Sequence, residues 1–196
     1  MELLTGKESF NLDGKSTGLI MYDFWQFRYS NVHFLQESIA EFLVAKVLGI
    51  DKPHNSNWWT LYDIQYRDFR IEVKATSYYH PWNIDGKVSM QRTFGITKAN
   101  SSYEIFNSEN KYERQNDVYI FCLNKGNTAE DSNPLNLNNW DFYIVPTSVI
   151  NMKCGNQKTI SLGRINNLGY LPKRFDEIKA EVDRIIDEQL VYSNDT

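Results

Sequence analysis

Residues 31–48 read NVHFLQESIAEFLVAKVL, with apolar side chains falling three and four apart, and this spacing predicts a helix. Ser30 or Asn31 can cap it, and Gly49 can stop it. Leu35, Ile39, Phe42 and Leu43 share one face, while Phe34, Glu37, Glu41, Val44 and Leu48 line the other side. A helix apolar on both sides is expected to be buried, so the two acids in the second stripe need a reason. Farther along, strand signals appear at 60–66, 69–76, 88–96, 118–123, 141–145 and 159–162. Helical spacing returns at about 175–190, with Phe175, Ile178, Val182 and Ile185 on one face.

A helix, a run of strands and a closing helix make an α/β (α+β) domain with a mixed β-sheet flanked by helices. Residues 1–196 suit one domain, with 1–30 as an N-terminal extension packed on it. The polar stretches 100–116 and 125–139, rich in Asn and Ser, are expected to be surface loops, partly mobile.

The segment 62–75, YDIQYRDFRIEVKA, has the form of a hairpin turning at Arg67–Asp68. Alternation puts Tyr62, Ile64, Tyr66, Phe69, Ile71, Val73 and Ala75 on a core face, and Asp63, Gln65, Arg70, Glu72 and Lys74 on the other. In that register Asp63 opposes Glu72, with side chains about 5 Å apart. Facing carboxylates repel, and a hard divalent cation such as Mg²⁺ would reverse the sign of that interaction. Lys74, on the same face, could neutralise a phosphate or orient an attacking water. These are the parts of a metal-dependent phosphodiester hydrolase.

Tyr62-Asp63 followed by Ile71-Glu72-Val73-Lys74 resembles the PD-(D/E)xK motif of the restriction endonuclease-like nuclease superfamily, with Tyr62 where the motif's name has Pro. The preceding helix, with Ile39-Ala40-Glu41-Phe42-Leu43-Val44-Ala45, resembles the first core helix, which contributes an extra acidic ligand. The similarity extends to Asp23-Phe24-Trp25, Asp117-Val118-Tyr119-Ile120-Phe121, Trp140-Asp141-Phe142-Tyr143 and Ile160-Ser161-Leu162, so it covers most of the chain. The resemblance implies an αβββαβ core and Mg²⁺-dependent cleavage of DNA, with Mn²⁺ as a substitute cation. It assigns Asp63, Glu72 and Lys74 as catalytic and Glu41, Asp63 and Glu72 as metal ligands, Glu37 being the rival to Glu41. A catalytically inactive nuclease-fold module for interaction or DNA binding, in a defence or mobile-element system, is the alternative.

Composition narrows the setting. Hydrophobic residues make up 41% and aromatics 14%, which fits a β-rich core with many half-buried rings. The two cysteines have neither framework nor CxxC spacing, so zinc is not expected, and Cys122 in its apolar run reads as a buried thiol. No positive region followed by a long apolar run opens the sequence, and no stretch is apolar enough to span a bilayer, so a cytoplasmic location is expected. The net charge of −4 gives no overall attraction to nucleic acid. Its distribution is uneven: 142–175 carries no Asp or Glu but holds Lys153, Lys158, Arg164, Lys173 and Arg174, which reads equally as a solvated loop or as a surface facing phosphate. His80 and Arg92 are further candidate contacts to the nucleic acid, His80 weighed against a structural role. Trp58, Trp59 and Trp82 could stack on bases, although core or rim positions are the commoner outcome. A homodimer is one arrangement that would allow both strands to be cut.

Overall fold

The computed structural model of the chain describes residues 4–51, 62–79, 92–100 and 112–194. Its centre is a four-stranded mixed sheet. Strands β3 (Ile64–Tyr66) and β4 (Phe69–Ser77) form the antiparallel hairpin, β4 runs parallel to β8 (Val118–Asn124), and β8 pairs antiparallel with β9 (Trp140–Pro146). The hairpin turns at Arg67–Asp68 in the expected register, Ile64 with Ile71 and Tyr66 with Phe69. Arg67 adopts φ 51°, a left-handed turn conformation. Its guanidinium pairs with Asp183 and Asp187, which ties the turn to the final helix α5 (Ile178–Asn194).

Strand β8 shows why its sequence is an unbroken apolar run: both of its faces are covered. Val118, Ile120 and Cys122 point toward α2 (Gln36–Val47) and α5, and join a core with Ala40, Val44, Ile71, Val73, Val182 and Ile186. Tyr119, Phe121 and Leu123 point the other way, into a second core with Phe94, Ile96, Ile150, Ile160 and Ile165. Burying each such side chain contributes on the order of 1.5–3 kcal/mol. At the start of β8, Asp117 accepts a two-pronged hydrogen bond from the Arg70 guanidinium and another from the Arg70 amide. That clamp sets the parallel register of β4 against β8.

Helix α2 begins later than expected, because Asn31 caps a 3-10 turn at Val32–Leu35 by accepting from the His33 amide. Only one of its faces is buried, through Ala40, Leu43 and Val44, while Phe42 stands 58% exposed. The expectation of a helix buried on both sides is therefore corrected, and Glu41 is half-buried whereas Glu37 is exposed.

Two further readings change. The strand expected at 88–96 is described only as β5 (Thr93–Gly95), and it joins a separate ribbon with β10 (Thr159–Ser161) rather than the main sheet. Helices α3 (Thr147–Cys154) and α4 (Leu162–Asn167) are new, and Leu162 opens α4 instead of ending a strand. Residues 125–139 are held by internal bonds: the buried Asn124 amide donates to the Ser132 carbonyl, and the Trp140 indole N–H donates to that of Pro134. Short strands β6 (Ala99–Asn100) and β7 (Tyr112–Glu113) pair antiparallel.

Residues 1–30, expected to pack on the domain, contain a hairpin of β1 (Ser9–Leu12) and β2 (Lys15–Ile20) followed by α1 (Met21–Arg28). Among the described residues of this segment only Gly6 is buried. No described helix is long and apolar enough to cross a membrane.

Candidate active site

The hairpin delivers its charged residues to the side opposite Ile71 and Val73. Glu72 and Lys74 lie next to Tyr119 and Phe121 in the β4–β8 ladder, so they emerge beside the second core and are partly sheltered by it. Their side chains are 19% and 29% exposed, and the Lys74 ammonium pairs with the Glu72 carboxylate at 2.6 Å.

Asp63 does not sit in a regular pair with Glu72. Strand pairing ends at Ile64 and Ile71; beyond it the Asp63 amide donates to the Ile71 carbonyl. The Asp63 carboxylate turns back and accepts a 2.7 Å hydrogen bond from the Val73 amide. This bond orients Asp63 and partly offsets its burial. The two carboxylates still act on each other. Burial lifts the pKa of Glu72, the Asp63 charge lifts it further, and Lys74 opposes both. Burial also lifts Asp63, against the Val73 hydrogen bond and the Lys74 charge. For Lys74 burial alone would favour the neutral form, but Glu72, Asp63 and Glu37 outweigh it and hold the ammonium above its ordinary pKa.

Glu41 approaches from α2. Burial, then the charges of Asp63, Glu37 and Glu72, push its pKa up to about 7, with Lys74 pulling the other way. Four acids and one lysine thus share one electrostatic environment that favours added positive charge. The donor set consists of carboxylate oxygens alone, which suits a hard divalent cation. As they stand, no three or more His, Cys, Asp or Glu side chains among the described residues form a group that could hold a metal ion. The Glu72–Lys74 pair and the Asp63–Val73 bond occupy groups that such a cage would draw on.

The shifted Glu41 predicts a pH dependence. Its folded pKa, about 7, lies above the ordinary 4.5, so the folded state pays for an ionised Glu41 above about pH 7. That cost fades as the pH falls toward the ordinary value. Glu41→Gln is expected to unfold at higher urea than the wild type at about pH 8, by about 1–2 kcal/mol after allowing for solvent screening. The two proteins are expected to match near pH 4.5. Equal stability at both pH values would mean that Glu41 is well solvated.

The other candidates are dispersed. Arg92 is buried at 4% exposure, with its guanidinium 4.2 Å from the Tyr78 ring centroid, so it stacks inside the fold instead of facing solvent. Lys153, Lys158 and Arg164 are exposed around α3, β10 and α4. His80, Trp58, Trp59 and Trp82 lie outside the described residues.

Two features were not legible in the sequence. Beside the carboxylates, Phe42, Ala45, Lys46, Ile50, Ile64 and Gln65 line a cavity of ≈ 400 Å³ that Glu41 and Asp63 also border. On the far side of Tyr119, Arg114 is buried at 6% exposure and bonded to Ile96, Asn151, Gly155 and Gln157. Nothing in its polar surroundings, KYERQND, marks it as internal. No model of a known protein family matches the sequence, and no curated protein matches it either.

Proposed function

We propose that the chain is a Mg²⁺-dependent nuclease of the restriction endonuclease-like type, hydrolysing phosphodiester bonds in DNA. The observation that carries this reading is the sheltered Glu72–Lys74 pair with Asp63 and Glu41 charged against it. Glu41, Asp63 and Glu72 would hold the cation. Mg²⁺, or Mn²⁺ in its place, would supply Lewis-acid charge to the phosphoryl oxygens when bound. Lys74 stays protonated at neutral pH and is the donor available for the charge that develops on the phosphate, or for orienting the attacking water. The Val73 amide keeps the Asp63 carboxylate aimed.

A second reading is a non-catalytic interaction or DNA-binding module on this fold. It is favoured by one observation, that the described acids form no ready metal-holding group. Cleavage assays on duplex, nicked, branched and single-stranded DNA with Mg²⁺ or Mn²⁺ separate the two, and activity on any of these substrates decides for the enzyme.

Thermal unfolding tests the cation independently of activity. If the site is half-saturated near ~1 mM, about 10 mM Mg²⁺ stabilises the fold by about 1.4 kcal/mol. That corresponds to a rise in Tm of roughly 3–6 °C for a domain of this size. Asp63→Asn is expected to raise the metal-free Tm and to shrink the Mg²⁺ response. A wild type indifferent to both cations, with Asp63→Asn neutral, would leave the carboxylates as a charged sheet face.

A further inference from the structure

Lys125, Lys173, Arg174, Lys179 and Arg184 each pair with a carboxylate. The other basic residues of 125–196 are Lys153, Lys158 and Arg164, and none of them has an acidic partner among the described residues. All three are exposed on neighbouring elements, and the Arg164 guanidinium donates to the Lys153 carbonyl at 3.4 Å. In an acidic protein whose other cations in this half are paired, three adjacent unpaired ones make a local surface of positive potential.

The surface between them has matching chemistry. Thr93, Gln157, Lys158, Thr159, Ser161 and Arg164 line an open depression of ≈ 770 Å³, with only Ile160 added to them. Two cations, three hydroxyls and an amide supply donors, and no carboxylate competes. The depression also has a defined relation to the candidate site. It lies on the β5–β10 ribbon, where Phe94 registers with Ile160. The Phe94 ring packs on Phe121 at 4.9 Å, and Phe121 is the ladder neighbour of Lys74. The ribbon is therefore layered on the same face of the sheet that carries Glu72 and Lys74.

We propose that this depression is a metal-independent site for consecutive phosphates of a nucleic-acid backbone, presented on the outer side of the ribbon that covers the Glu72–Lys74 face of the sheet. The assignment to nucleic acid rests on the nuclease reading. The phosphate chemistry rests on the ribbon alone. Lys153, Lys158 and Arg164 would neutralise the phosphates, and the hydroxyls of Thr93, Thr159 and Ser161 would bond their oxygens.

The test measures binding of the full chain to labelled DNA of about 20 nucleotides, in EDTA, over a range of salt. The triple variant K153S/K158S/R164S is expected to bind at least about tenfold more weakly near 50 mM salt, with a salt slope flatter by about 2–3. The single charge reversal Lys158→Glu, at an exposed position with no ion pair, is expected to show the same trend. A salt slope unchanged in both variants overturns the proposal. Tighter binding to phosphatidylserine vesicles than to DNA, lost in the triple variant, also overturns it by reassigning the surface to a membrane. A wild type that cuts no substrate yet shows the salt-steep binding keeps the phosphate site and removes only the nuclease reading.

Discussion

Under the proposed nuclease function, Lys74→Ala is expected to lower the cleavage rate by about 10²–10³-fold while DNA binding changes little. The reason lies in where the ammonium sits. It is sheltered beside Tyr119 and Phe121, and Glu72, Asp63 and Glu37 keep it charged despite burial. A fixed charge in a partly dry site costs no reorganisation when negative charge builds on a phosphate, so its loss falls on the transition state rather than on binding. The variant also leaves Glu72 without its 2.6 Å partner, which raises the Glu72 pKa further. Its residual activity is therefore expected to rise with pH over a range displaced upward from that of the wild type. Lys74→Arg is expected to recover only part of the rate, since a planar fork does not replace a compact ammonium. The measurement is single-turnover cleavage alongside DNA affinity in a non-cleaving condition. Near-normal cleavage by Lys74→Ala would take Lys74 out of the mechanism.

Arg114→Met is expected to destabilise the domain by about 3 kcal/mol or more. The Arg114 guanidinium donates at 2.8 Å to the Ile96 carbonyl, 2.7 Å to the Asn151 side chain and 3.0 Å to each of the Gly155 and Gln157 carbonyls. It thus joins the end of α3 to the strand segment following β5, and it has no carboxylate among these partners. A positive charge there suits the C-terminal end of a helix. Methionine fills similar volume but leaves those acceptors without a donor in a closed region, and each lost bond to a charged group costs about 1.5–3 kcal/mol before relaxation. Urea unfolding measures the loss. Arg114→Lys is expected to recover part of it, because three donors on one nitrogen cannot reach all four acceptors. A change within about 0.5 kcal/mol for Arg114→Met would show that water replaces the guanidinium there without penalty.

The hairpin and the central strands could be read directly from the chain because their information is local. Alternation in 62–75 assigns Ile64, Ile71 and Val73 to one face and Glu72 and Lys74 to the other, and these are the faces observed. The run 118–123 announced a strand, found at Val118–Asn124, whose coverage on both sides only the packing shows. Helix α5 followed from apolar positions three and four apart, and of the two candidate caps, Ser30 and Asn31, the structure uses Asn31.

What escaped was short or long-range. Helices α3 and α4 hold eight and six residues, too few for periodicity to stand out, although Thr147, Ile150 and Cys154 do share a buried face. Strand β5 had the right composition, but its partner β10 lies more than sixty residues away, so no local pattern could place it outside the main sheet. Arg92 and Arg114 are charged residues whose burial depends on partners elsewhere in the chain, Arg114 on carbonyls that tertiary packing brings together.

The candidate site divides along the same line. The chain by itself placed the candidate residues Glu72 and Lys74 on one face of a hairpin with Asp63 at its start, since strand alternation needs only neighbours. Only the tertiary structure decided their state: α2 brings Glu41 into the group and raises its pKa to about 7, and the second core shelters the Glu72–Lys74 pair. Burial and charge depend on what packs nearby, and that is set by contacts across the whole fold.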